Sequence, residues 1–149
     1  MRGHVTNEFD VVGASADEIW AVYGDKNLPN YVSGLQPGLF ELLEIVEGDG
    51  GVGIPGPREW KEKFTTIDDG RMVKQVQQIE GGFLGIGFTL HEITFEILPK
   101  DKDSCIIKST VKVDIDSQSE ANAAAITVDS MYGMARAITK LVLNNKAKQ

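Results

Sequence analysis

Two long runs in the second half of the chain alternate between apolar and polar residues, and they constrain the fold more than any other feature. In Phe88 to Leu98 the phase of Ile93, Phe95 and Ile97 is apolar, while Glu92, Thr94 and Glu96 occupy the other. After Pro99-Lys100-Asp101-Lys102-Asp103, a charged turn, Cys105, Ile107, Val111, Val113 and Ile115 alternate with Lys108, Thr110, Lys112 and Asp114. A period of two is the signature of strands with one buried face. Ser117-Gln118-Ser119-Glu120 then has capping-box spacing and predicts a helix to about Leu143. Its apolar stripe is Val128, Met131, Met134-Ala135, Ile138 and Leu141-Val142. Strands with a single apolar face must bury it against another layer. The economical arrangement is α+β, a curved antiparallel sheet wrapped round its longest helix. That helix covers a wide sheet alone, so a ligand cavity between the two is expected.

The first half of the chain supplies the remaining elements. Val5, Asn7, Phe9 and Val11 alternate with Thr6, Glu8 and Asp10 as a first strand, broken at Gly13-Ala14. Ser15-Ala16-Asp17-Glu18 is a capping box opening a short helix that carries Ile19, Trp20 and Tyr23 inward. Asn27-Leu28-Pro29 starts a second short helical piece or a turn, and Phe40 to Glu47 reads as another strand. Gly48-Asp49-Gly50-Gly51-Val52-Gly53 lacks the Gly-Lys-Ser/Thr ending of a phosphate-binding loop, so a tight turn is the expectation there. The two prolines of Ile54-Pro55-Gly56-Pro57-Arg58-Glu59 argue against a regular central strand.

The chemistry concentrates in the next stretch. Trp60-Lys61-Glu62-Lys63-Phe64, a turn at Asp68-Asp69-Gly70, and the return Met72-Val73-Lys74-Gln75-Val76 predict a β-hairpin. Alternation puts Trp60, Glu62, Phe64 and Thr66 on one face, an acid between two aromatics. Met72, Lys74, Val76 and Gln78 share a face on the return strand. A three-residue loop ending in a left-handed Gly70 would bring Glu62 and Lys74 to the same side; a two-residue Asp69-Gly70 turn would separate them. On a shared inner face, the lysine and the carboxylate would meet in a semi-apolar pocket as an acid/base pair.

Composition excludes several classes. With 149 residues, 42% of them hydrophobic, the chain has enough apolar material for one globular domain spanning 1–149. A net charge of −7 argues against nucleic acid, whose phosphates call for a basic face. No apolar run reaches the ~20 residues of a membrane helix, and the N-terminus has no apolar signal core. A single cysteine, Cys105, in an apolar strand phase reads as buried filler in a cytoplasmic protein. Two scattered histidines, His4 and His91, make no recognisable metal site and no ribonuclease pair.

Taken together, the order of elements and several segments resemble the Bet v 1 / PR-10 superfamily. The segments are Gly48-Asp49-Gly50-Gly51-Val52-Gly53, Trp60-Lys61-Glu62-Lys63-Phe64, Ile79-Glu80-Gly81-Gly82, Asp103-Ser104-Cys105-Ile106-Ile107-Lys108-Ser109 and Ala137-Ile138-Thr139-Lys140-Leu141-Val142-Leu143. Within the superfamily the sequence is most similar to plant norcoclaurine synthases, and the likeness covers nearly the whole chain. The resemblance implies a helix-grip fold with two short N-terminal helices around a hydrophobic cavity. It also implies a cofactor-independent Pictet–Spengler condensation of dopamine with 4-hydroxyphenylacetaldehyde in alkaloid biosynthesis, with no metal. By the same resemblance the family lysine falls on Lys74 and the family glutamate on Glu62, as base and proton donor. The family tyrosine is here Trp60, and the family aspartate is Ile93. Trp60, Phe64, Leu39, Phe40 and Ile93 would line the substrate pocket. Relatives carry a further strand between the glycine cluster and Trp60; only Ile54 to Glu59 bridge that interval here.

The competing class is a non-catalytic PR-10 carrier of hydrophobic plant metabolites or hormones. A weaker one is a phosphatase-inhibiting hormone receptor of the abscisic-acid type; no latch-like His-Arg-Leu sequence is present. Either way the expected partner is a small aromatic or hydrophobic ligand, with the chain a monomer or homodimer.

Overall fold

The computed structural model describes residues 1–25, 60–126 and 129–148. The expectations for Leu39 and Phe40, the second short helix, the glycine cluster and the shortened strand lie outside the described residues. Among the described residues, β1 (Arg2–Val12), β2 (Trp60–Asp68), β3 (Val73–Gly81), β4 (Phe88–Asp101) and β5 (Ser104–Ile115) form one antiparallel sheet in the order β1-β5-β4-β3-β2. Two helices pack on it: α1 (Ala16–Tyr23) and the long α2 (Asp129–Ala147).

The predicted alternation holds along β4 and β5. Phe95 and Ile97 on β4, and Cys105, Ile107, Val111, Val113 and Ile115 on β5, are buried in the core. They meet Ile19, Trp20 and Tyr23 of α1 and Met131, Met134, Ala135, Ile138 and Val142 of α2, the stripe read from helical spacing. The capping box of α1 is complete: the Ser15 hydroxyl accepts from the Glu18 amide at 3.2 Å, and the Glu18 carboxylate accepts from the Ser15 amide at 3.0 Å. Lys146 of α2 reaches back to that same carboxylate (2.9 Å) and to the Gly13 carbonyl (2.8 Å), fixing the start of α1 against the end of α2.

Three expectations need correction. The helix predicted from Ser117 is a 3₁₀ segment, Ser117–Ala125, capped by the Asp116 carboxylate, and α2 starts only at Asp129 and runs to Ala147. The segment lacks an apolar stripe and is tied instead to the backbone before β4, where Asn122 donates to the Ile86 carbonyl at 2.8 Å. Strand β4 continues through Pro99 to Asp101, with an irregularity between those two residues, so the turn is shorter than predicted. The β2–β3 connection has four residues, 69 to 72, and its left-handed residue is Met72 (φ 55°), not Gly70. The Asp68 carboxylate accepts from the Arg71 amide at 3.0 Å, so the local turn closes over Gly70 and the left-handed step falls later.

Candidate active site

Antiparallel register sorts the concave face into rows. One row runs Asn7, Ser109, Phe95, Lys74, Ile67; the next runs Val5, Val111, Ile93, Val76, Phe64. Further along, Gly3, Val113 and His91 are in register, as are Gln78 and Glu62. The sequence-predicted residues Lys74, Phe64, Ile93 and Glu62 therefore occupy positions on one face.

They do not, however, share one row. Glu62 stands opposite Gln78, four residues along β3 from Lys74, which at about 3.3 Å per residue separates the two backbone positions by roughly 13 Å. In backbone register the two positions bracket an apolar stretch formed by Val76, Phe64 and Ile93. A bulge between Phe64 and Thr66 also breaks the predicted alternation. Thr66 pairs with Gln75 and its hydroxyl donates to the Gln75 side-chain Oε1 at 3.1 Å, so it leaves the face it was expected to share with Phe64. Trp60 pairs with Gly81 across a second irregularity between Lys61 and Glu62.

Lys74 is 0% exposed. Its ammonium donates to the Tyr23 carbonyl and to the Asp25 carbonyl, each at 3.0 Å, and lies 4.4 Å from the centroid of the Phe64 ring. The last carbonyls of a helix have no partner inside it and carry partial negative charge. The last turn of α1 has no basic residue of its own, so β3 supplies the cation. A second tie holds the same elements together, because Trp20 on α1 donates its indole N–H to Asp69 in the β2–β3 connection at 2.9 Å. Tyr23 packs its ring against Phe95 (5.3 Å between centroids), and burial pushes its phenol well above the ordinary range. Phe64 is 39% exposed, a solvent-touching wall beside a buried cation.

At the other end of the face, His91 is buried and stacks flat on Phe83, with ring centroids 4.6 Å apart and planes 8° apart. Burial holds its imidazole down to about 4, hence neutral at pH 7. Gln78 is buried beside the turn it stabilises, accepting from the Phe83 amide at 3.0 Å. Gly82 makes this approach possible: it has φ +53°, and a Cβ there would lie 2.7 Å from the Gln78 side-chain Oε1. Sequence reading placed Gln78 on this face but missed His91, whose place in the inward phase of β4 with Ile93 and Phe95 was the available signal. Ser109, between Ile107 and Val111 on β5, was missed in the same way. Cys105 is fully buried, and burial pushes its thiol up to about 11, which makes it inert filler as expected.

Among the described residues no group of three or more His, Cys, Asp or Glu side chains is arranged to hold a metal ion, and no helix is long and apolar enough to cross a membrane.

No family model matches the chain. Individual proteins do. The chain is 44% identical over 147 residues to S-norcoclaurine synthase of Thalictrum flavum subsp. glaucum, covering 92% of this chain and 70% of that one. It is 35% identical over 157 residues to norbelladine synthase of Narcissus pseudonarcissus, covering 99% and 96%. Among solved structures, Thalictrum flavum norcoclaurine synthase in complex with dopamine and hydroxybenzaldehyde superposes with a TM-score of 0.78 at 40% identity, covering 97% of this chain and 88% of that one. A point mutant of that synthase with a transition-state analogue gives 0.81, covering 98% and 97%. Fold and identity agree, and the chain belongs to the norcoclaurine and norbelladine synthase family of the Bet v 1 superfamily.

Proposed function

We propose that this protein catalyses a cofactor-independent Pictet–Spengler condensation of dopamine with an aldehyde such as 4-hydroxyphenylacetaldehyde, in the cytoplasm of a plant cell. The observation that carries the reading is Lys74, a fully buried lysine on the concave face of a chain 44% identical to an S-norcoclaurine synthase. The amine adds to the aldehyde to give a carbinolamine, which loses water to an iminium. The catechol ring carbon then attacks the iminium, forming the C–C bond, and rearomatises by releasing a proton. Lys74 serves the phenolic oxygen, as base or as the charge that stabilises the phenolate. Glu62, at the far end of the apolar stretch, is the proton donor for loss of water. Phe64 and Ile93 flank the ring, and Trp60, Leu39 and Phe40 complete the pocket.

A second reading, a non-catalytic carrier of hydrophobic metabolites, is favoured by one observation: Trp60 and Ile93 lack the hydroxyl and carboxylate of the family's tyrosine and aspartate.

Chiral analysis of the product from dopamine and 4-hydroxyphenylacetaldehyde separates the two readings, because the uncatalysed reaction is racemic. One enantiomer is expected from the wild type, lost in Lys74→Ala and diminished in Glu62→Gln, with near-UV circular dichroism confirming that each variant is folded. A racemic product from folded wild-type protein would sink the synthase reading for these substrates.

A further inference from the structure

We propose that Asn7 and Ser109 form a hydroxyl-reading subsite on the concave face, which takes the phenolic hydroxyl of an aromatic ligand. The inference deepens the proposed function, resting on its premise that a small aromatic molecule occupies this face. It names the chemical group that a second, separate site recognises.

Among the described residues, four buried side-chain oxygens lack any hydrogen-bond partner, and two of them face each other across β1 and β5: Asn7 Oδ1 and Ser109 Oγ. Ser109 is only 1% exposed. Opposed residues of an antiparallel pair have backbones about 4.5–5.5 Å apart, yet these two side chains do not bond each other. A polar atom buried without a partner is a cost that native proteins avoid unless something else meets it. The fold does not require either group. The neighbours in the same phase are Val5 and Phe9 on β1 and Ile107 and Val111 on β5, and an apolar residue at either position would continue the pattern.

The chemistry of the pair selects its ligand. Ser109 offers one donor and an acceptor, and Asn7 presents an amide oxygen. A hydroxyl can donate to Asn7 Oδ1 and accept from Ser109 together; with the amide turned, it would accept from the Asn7 NH2 and donate to Ser109. A carboxylate has no proton to give Asn7 Oδ1, and an ammonium, which could donate to both oxygens, would bring an unpaired charge into apolar surroundings. The surroundings are apolar and partly aromatic. Phe95 adjoins Ser109 in the same row, and Val5, Val111 and Ile93 form the next row. An aromatic ring resting on Val111 and Ile93 would direct a ring hydroxyl at the pair. Lys74 lies two strands from Ser109, about 10 Å away at 4.8 Å per strand, with Phe95 between them. The subsite is therefore distinct from the Lys74 position.

Calorimetric titration with tyramine, dopamine and phenethylamine, the last lacking any ring hydroxyl, tests the assignment on the full chain. Ser109→Ala is expected to weaken tyramine and dopamine by about ten-fold while leaving phenethylamine unchanged. The same substitution is expected to leave the melting temperature of the ligand-free protein unchanged or raised, since it removes an unpartnered oxygen. Asn7→Ala is a second variant with the same expected discrimination. Equal weakening of all three ligands, no weakening, or no binding by any of them would overturn the subsite, an ordered water being the occupant in the first two cases. Enantioselective turnover without this discrimination leaves the synthase reading standing and removes the subsite. Discrimination without turnover does the reverse.

Discussion

Lys74 and His91 are two basic side chains buried on one concave face, and the protein treats them in opposite ways. Lys74 is surrounded by groups that welcome a cation: the Tyr23 and Asp25 carbonyls at 3.0 Å and the face of the Phe64 ring. His91 lies flat on Phe83, and its imidazole is held to about 4 by burial. Partners for a cation are concentrated where a helix end presents spare carbonyls, while His91 is set against an aromatic ring. A buried base is thus defined by what the backbone around it offers.

Breaking the Lys74 side should have the largest effect. Lys74→Met strips the last carbonyl of α1 and the Asp25 carbonyl just beyond it of a charged donor, and we expect a loss of roughly 4 kcal/mol in urea unfolding at pH 7. An unchanged midpoint would mean that those carbonyls gain nothing from the lysine. On the His91 side the effect is conditional on acidity. The folded pKa of about 4 lies below the ordinary 6.5, so between these values the unfolded chain binds a proton that the native chain does not. Stability from this group is intact above pH 6.5 and is lost as the pH falls towards 4, by up to roughly 3 kcal/mol. His91→Phe, which can retain a stacked ring, should flatten that part of the profile; an unaltered slope would assign it to other groups. A smaller change probes the turn beside His91. Gly82→Ala places a Cβ 2.7 Å from the Gln78 oxygen at φ +53°, and about 2 kcal/mol of destabilisation is expected in the same unfolding experiment.

The sheet and the helix faces were legible because they rest on periodicity. Ile93, Phe95, Ile97 and the β5 residues announce their phase, and Ser15 with Glu18 announces the start of α1. Lys74 was legible as a residue on the inward phase, and the family resemblance gave it importance. Its partners were not legible: Tyr23 and Asp25 contribute backbone carbonyls, which no side-chain pattern encodes, from the end of α1 and just beyond it, about fifty residues earlier. The separation of Glu62 from Lys74 was hidden for a different reason. It depends on a four-residue connection and two strand irregularities, each set by local hydrogen bonds such as Asp68 to Arg71. The break before α2 was missed because Ser117 to Glu120 satisfies a capping pattern that the backbone does not use to begin a long helix.

Cys105 carries a practical consequence. It is the sole cysteine of the chain, fully buried on β5, and its thiol is pushed up to about 11. Reaction with a thiol reagent therefore requires the core to open, and also yields the reactive thiolate only after opening. The wild-type sequence thus contains a built-in clock for exposure of its own interior, readable by mass spectrometry without any introduced label.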